Sequence, residues 1–178
     1  RPVIAGGLIG RDQRAGFAAA LTPMGIACRF RTVPYPTRLN TMLTDGAGRE
    51  LKLNHPGFPD LAFDEAALVR YLRTLLKPGR VVILSGSLPA RFPAGTYATL
   101  ARHVRAAGNP VVLDTAGPAL AAALAVPPDV IKPNRRELEA ALGVSLKSER
   151  ARRAALVRLM ARVEAVILSD GARGAWFA

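Results

Sequence analysis

The sequence predicts an α/β fold: a mostly parallel sheet flanked by helices, with a small antiparallel β lid. Three observations carry this. From residue 64 onward, short apolar runs alternate with stretches of helical period, the mark of βαβ units. Residues 27–57 break that rhythm: they hold no convincing helix but two extended runs, "TRLNTMLTD" and "RELKLNHPG", either side of the turn signal "DGAG". Half of the 178 residues are apolar, enough for one sizeable core.

In chain order, "RPVIAGGLIG" reads as a buried strand running into a Gly-rich turn. "RDQRAGFAAALTPMGI" reads as a helix that Pro23 ends or kinks, with Gly25 close behind. The expected division is residues 1–26 as the start of the α/β core, 27–57 as the lid, and 58–178 as the rest of the core with its cleft. After Asp64 the helical period places Ala67, Leu68, Tyr71, Leu72 and Leu75 on one face. "RVVILS", "PVVLD", "DVIK" and "EAVILSDG" read as strands. "AGTYATLARHVRAAG", "GPALAAALAV", "RRELEAALG" and "SERARRAALVRLMARV" read as helices, with Gly108 and Gly143 as C-terminal stops.

Composition narrows the function classes. The net charge of +12 invites a nucleic-acid reading, but 21 of the 25 basic residues are arginines scattered along the chain, and the few aromatics are not interleaved with them. A small phosphorylated ligand fits better than a polyanion, and no nucleic-acid partner is expected. No apolar run approaches the ~20 residues that cross a bilayer, so no membrane partner is expected either. Cys28 is the single cysteine, which excludes an internal disulfide and fits the cytoplasm.

In parallel sheets, ligands gather beyond the carboxyl ends of the strands. Here those ends are Ser85-Gly86-Ser87, Asp114-Thr115, Lys132-Pro133-Asn134 and Ser169-Asp170-Gly171, all polar, small or charged. Pro133 keeps Lys132 extended, so the cation projects from the strand end. Asn134 and Glu137 have the spacing of a capping box, which by itself explains a helix start. It does not explain a cation beside the positive end of a helix, which is unfavourable unless an anion lies there too. Gly86 between two serines allows a close backbone approach to a phosphate. Gly171 and Gly174 allow the same after the last long strand, and Arg38 on the hairpin has fork geometry for an anion. His55 and His103 lack metal-ligand spacing, and His103 reads as a surface residue. Neither GxxxxGK[ST] nor GxGxxG occurs.

"TRLN", "SGSLP", "VVLDTAG", "IKPNRRELEAALG" and "VILSDGARGA" occur in the order and spacing of phosphofructokinase B-type sugar kinases of the ribokinase superfamily. The chain is most similar to their phosphosugar branch: 1-phosphofructokinase, tagatose-6-phosphate kinase and the minor bacterial 6-phosphofructokinase. The resemblance implies a ribokinase-like fold and transfer of phosphate from ATP, with Mg²⁺, to a phosphorylated ketohexose. It implies that Lys132, Asn134, Ser169, Gly171 and Gly174 bind the nucleotide, and that Asn134 and Glu137 order Mg²⁺ through water. It places Arg38, Ser85 and Ser87 at the sugar substrate's phosphate and Asp114 as an acidic substrate-binding residue at the cleft floor, and gives Gly10, Asp12 and Gly16 a structural part. It also implies homodimerisation through the lid.

The family's "GAGD" motif, whose aspartate is the catalytic base, does not occur in residues 1–178, so the resemblance nominates no catalytic residue here. An earlier sugar-binding stretch is missing as well, and the chain reads as an internal portion of such a kinase. The alternatives are a catalytically incomplete phosphate-binding fragment and a basic nucleic-acid-binding domain.

Overall fold

The computed structural model describes residues 2–55, 57–58 and 60–178. It divides into two units, Arg1–Phe63 with Pro89–Arg91, and Asp64–Leu88 with Phe92–Ala178.

In the first unit, Val3–Ala5 (β1) and Leu8–Gly10 (β2) lead into helix Arg14–Leu21 (α1), and the chain returns through Ile26–Cys28 (β3) and Arg31–Val33 (β4). β1 pairs in parallel with β3, and β2 with β4, making one βαβ crossing whose strands are interrupted midway. The sequence reads a single buried strand at the start and none at 26–33. The structure splits the first and leaves Val3 54% exposed. Runs of three residues such as "IAC" and "RTV" are too short to show a period, so β3 and β4 are recognisable only by what they pair with. Pro23 ends α1 in a 3₁₀ turn, and Gly25 follows with a left-handed φ of 73°, as expected.

Gly10 closes β2 against another stretch of backbone. Its N–H donates to Thr37 Oγ1 at 2.7 Å, and a Cβ there would lie 2.6 Å from the Tyr35 carbonyl oxygen and 2.8 Å from the Thr37 nitrogen. Its φ of −60° is ordinary, so only the close approach demands glycine. Gly10→Ala is therefore expected to destabilise the protein by about 1–3 kcal/mol through overpacking against backbone. This would be read as a lower denaturant midpoint at unchanged m-value.

The expected hairpin is present. Asn40–Thr44 (β5) and Glu50–Asn54 (β6) pair antiparallel, with Leu43 opposite Leu51 and Thr41 opposite Leu53. Asp45 organises the turn: its Oδ1 accepts from the Ala47 and Arg49 backbone N–H groups, each at 2.9 Å. The Arg49 backbone and then its guanidinium hold the Asp45 carboxyl below its ordinary pKa. Every residue of both strands is exposed. Alternation puts Thr41, Leu43, Leu51 and Leu53 on one face, with Met42 and Lys52 on the other.

The second unit opens with Glu65–Leu75 (α2), capped by Asp64, whose side chain accepts from Ala67 N. Strands Val82–Ser85 (β7), Val111–Asp114 (β8), Val130–Ile131 (β9) and Ala165–Ser169 (β10) alternate with helices Thr96–Ala106 (α3), Gly117–Ala125 (α4), Arg135–Leu142 (α5) and Glu149–Met160 (α6). Ala175–Phe177 (β11) turns back antiparallel on β10. The sheet order is β11-β10-β9-β8-β7, and β7 to β10 are all parallel.

Each connection from β7 to β10 steps one strand over in the same direction. With right-handed crossovers, the intervening helices fall on one face of the sheet. Burial follows: Leu84, Val111, Leu113, Ile131, Val166 and Leu168 are sealed beneath Leu100, Val104, Leu120, Ala123, Leu138 and Leu156. The alternate residues are less covered, and Ile83 remains 66% exposed.

Candidate functional site

The parallel register brings the strand ends of the second unit into one row. Ser85 stands opposite Asp114, Lys132 N donates to Leu113 O at 3.0 Å, and Asn134 bridges to Ser169, whose N–H donates to Pro133 O at 3.0 Å. Ser85, Asp114, Lys132, Asn134 and Ser169 thus follow one another along a single rim, as the alternation of strands and helices predicts. Glu137, Gly171 and Gly174 adjoin it in the chain, and Ser87 lies two residues beyond Ser85.

At one end, Gly86 turns the chain with a φ of 100°. Its N–H donates to Asp114 O at 3.0 Å, and its carbonyl accepts from Thr115 Oγ1 at 2.8 Å and Tyr97 Oη at 3.1 Å. Tyr97 Oη also donates to Ser85 O at 3.0 Å. Burial, and then the charge of Asp114, push the Tyr97 phenol up to about 12, so it remains a donor. Tyr97 and Thr115 buttress the Ser85–Ser87 turn and leave both serines exposed. Sequence reasoning placed Thr115 at a strand end but missed its bond to Gly86, and missed Tyr97 altogether, which lies in the first turn of a helix that buries every residue from Thr96 to Ala101.

In the middle of the row, Lys132 Nζ lies 3.2 Å from Asp114 Oδ1, with the two side chains 45% and 35% exposed. Such a half-exposed pair is weak, so a more highly charged anion competes for the lysine effectively. Pro133 is fully buried and holds Lys132 in the extended conformation expected of it.

Next to it, Asn134 caps α5. Its Oδ1 accepts from Glu137 N at 2.9 Å, and Glu137 Oε2 accepts from Asn134 N at 2.8 Å, completing the capping box. A carboxylate offers about four acceptor sites, and the cap uses one of those of Glu137. Among the described residues, no group of three or more His, Cys, Asp or Glu could cage a metal ion. A carboxylate with acceptor positions to spare beside a helix N-terminus is the kind of group that addresses a hydrated cation through water.

At the far end, β10 leads into a tight turn. Asp170 N donates to Gly174 O at 2.8 Å and Gly174 N to Gly171 O at 3.0 Å, with φ of 58° at Gly171 and 84° at Gly174. A side chain at either glycine would be strained.

Arg38 belongs to the first unit. Its Nε donates to Asn40 Oδ1 at 2.8 Å, consistent with the two sharing a face of the hairpin, and a Cβ added at Gly57 would lie 3.5 Å from the Cβ of Arg38. Asp12 and Gly16 are exposed, and no atom would crowd a Cβ at Gly16. His55 Nδ1 accepts from Gly57 N at 3.1 Å. His103 is half-buried on α3. No described helix is long and apolar enough to cross a membrane.

Residues 1–178 match the pfkB family carbohydrate kinase. The 1-phosphofructokinase of Rhodobacter capsulatus is 40% identical over 172 residues, covering 95% of this chain and 54% of its own length. That of Xanthomonas campestris pv. campestris is 38% identical over 181 residues, covering 98% and 57%. The chain thus spans about half the length of these relatives. Phosphofructokinase-2 from Escherichia coli, in complex with potassium, superposes with a TM-score of 0.86 at 23% identity, over 99% of this chain and 58% of that one. Ribokinase from Giardia lamblia gives 0.72 at 15%, over 98% and 55%. The fold is ribokinase-like, and the chain belongs to the pfkB family of carbohydrate kinases.

Proposed function

We propose that the enzyme containing this chain transfers the γ-phosphoryl group of ATP to a hydroxyl of a phosphorylated ketohexose. The observation that carries the reading is the single rim on which an extended lysine, a capped helix N-terminus and a two-glycine turn stand in a row. Lys132, Asn134, Ser169, Gly171 and Gly174 hold the nucleotide, whose phosphates draw Lys132 from Asp114. Ser85, Ser87 and Asp114 take the sugar substrate, with Arg38 on its phosphate. The names of the relatives favour fructose 1-phosphate as acceptor.

Phosphoryl transfer depends on position and charge. Asn134 and Glu137 hold Mg²⁺ through its waters, and the ion supplies neutralisation of the phosphate oxygens. The sugar hydroxyl oxygen attacks phosphorus, the bond to the leaving ADP oxygen breaks, and the hydroxyl proton passes to a base. Neither aspartate of the rim is assigned that duty: Asp114 stands on the substrate side, and Asp170 is buried beneath arginines. Association of two copies through the apolar face of the hairpin, and a place in the cytoplasm, belong to the same proposal. Leu43, Leu51 and Leu53 on that face are 51–57% exposed.

Steady-state kinetics of the intact enzyme test the substrate side. Arg38→Ala removes a charge-assisted bond and is expected to raise the KM for the phosphosugar ~10- to 100-fold. The KM for ATP should change by less than about twofold. Equal rises in both would reject the assignment.

A further inference from the structure

Asp170 is a carboxylate the transfer reaction does not use, yet its side chain is only 4% exposed. Burying a charge is unfavourable unless it is closely paired. The pairing here is extensive. Arg173 donates in fork geometry, Nε to Oδ2 and Nη2 to Oδ1, both at 3.0 Å. Arg135 Nε stands 3.3 Å from Oδ1. The hydrogen bonds from Arg173 and the charges of Arg173, Arg152 and Arg135 outweigh burial and lower the pKa of Asp170.

The turn itself does not require this carboxylate. Backbone bonds and two left-handed glycines already close it. What the side chain adds is a tie to other elements. Arg135 is the first residue of α5, directly after Asn134, and its Nη1 also lies 3.3 Å from Glu139 Oε1. That same oxygen accepts from Leu146 N at 2.7 Å. Arg152, on α6, is anchored by Nη1 to the carbonyls of Leu146 and Lys147 at 3.0 and 2.8 Å. A charged network therefore joins the glycine turn to the start of α5 through side chains alone.

We propose that Asp170 and Arg135 are positioning residues that fix the glycine turn against the Asn134–Glu137 cap, so that one bound nucleotide meets both. This rests on the reading of that end of the rim as the nucleotide side. Neither residue touches the reacting atoms. Each acts through the backbone it holds, and the effect is confined to one of the two substrates.

The test uses the intact enzyme, with MgATP binding followed by calorimetry and both KM values by steady-state kinetics. Asp170→Asn keeps the shape but removes the charge that the arginines hold. The expected result is a rise of ~10-fold or more in the MgATP Kd and KM, with the phosphosugar KM within about twofold. Arg135→Gln should match it, and Arg135→Lys, which keeps the charge but cannot reach Asp170 and Glu139 together as the guanidinium does, should recover part of the loss. Because the two residues act as one clamp, the double variant should be no worse than the poorer single. Unchanged nucleotide affinity in Asp170→Asn, equal rises in both KM values, or full additivity in the double would overturn the inference. Should Asp170→Asn fail to fold, Arg135→Gln, whose side chain is 23% exposed, decides by the same criterion. If the unaltered enzyme binds no MgATP, the reading of the rim falls and the inference with it. If it binds and the variants bind equally well, only the inference falls.

Discussion

Glu137→Gln should leave the protein folded and reduce kcat ~10²- to 10³-fold, the usual loss when one preorganised charge-stabilising group is removed. The substitution separates two duties that the sequence alone cannot. In a capping box, glutamine serves as well as glutamate, because either oxygen can accept the Asn134 N–H now held at 2.8 Å. The start of α5 therefore survives, and the stability change should stay below about 1 kcal/mol, the worth of a carboxylate at a helix N-terminus. What the amide lacks is the charge that orders a hydrated Mg²⁺. Glu137→Ala loses the cap as well and should cost about 0.5–2 kcal/mol of stability in addition. Thermal melts beside kcat measurements separate the cases. A Gln variant as fast as the parent would reduce Glu137 to a helix cap.

Lys132→Met should lower kcat/KM for ATP by ~10³-fold, the scale on which phosphoryl-transfer enzymes respond to loss of a cation at the transferring group. Stability should barely move. Lys132 pairs with Asp114 at 3.2 Å in a half-exposed setting, and such pairs contribute about 0–1 kcal/mol. The methionine stem can lie where the lysine stem lay, and Asp114 keeps access to water. Lys132→Arg should recover only part of the activity, because a planar fork replaces a compact ammonium. A melting temperature that falls in step with activity would mean that Lys132 is a structural residue.

The contrast between Lys132 and Asp170 shows where the sequence was legible. Lys132 was readable because a local rule, the effect of proline on the residue before it, fixes its direction whatever surrounds it. Asn134 and Glu137 were readable for the same reason, since the box is closed within four residues. The register rule of a parallel sheet then predicted that the strand ends share a rim. Asp170, Arg135, Arg152 and Arg173 come from three separate elements and meet only after the core has formed. Asp170 and Arg173 stand three apart in one turn, but no spacing in the chain announces that Arg135 and Arg152 join them. Tyr97 and Thr115 reach Gly86 from α3 and from the end of β8, and their roles were equally out of view. The short β3 and β4 escaped because three residues cannot display a period. Arg38 was legible as a cation on a hairpin, but not its nearness to Gly57.

The β5–β6 hairpin has ten strand residues and no buried side chain. Its ladder is held by backbone bonds and the Asp45 turn, and a two-stranded sheet of that kind is only marginally stable in water. Opening it requires no rupture of the core, so its amides should exchange with deuterium long before those of β8 or β9. Whatever settles on the leucine face would register first as protected hydrogens between residues 40 and 54, ahead of any change in melting of the whole chain.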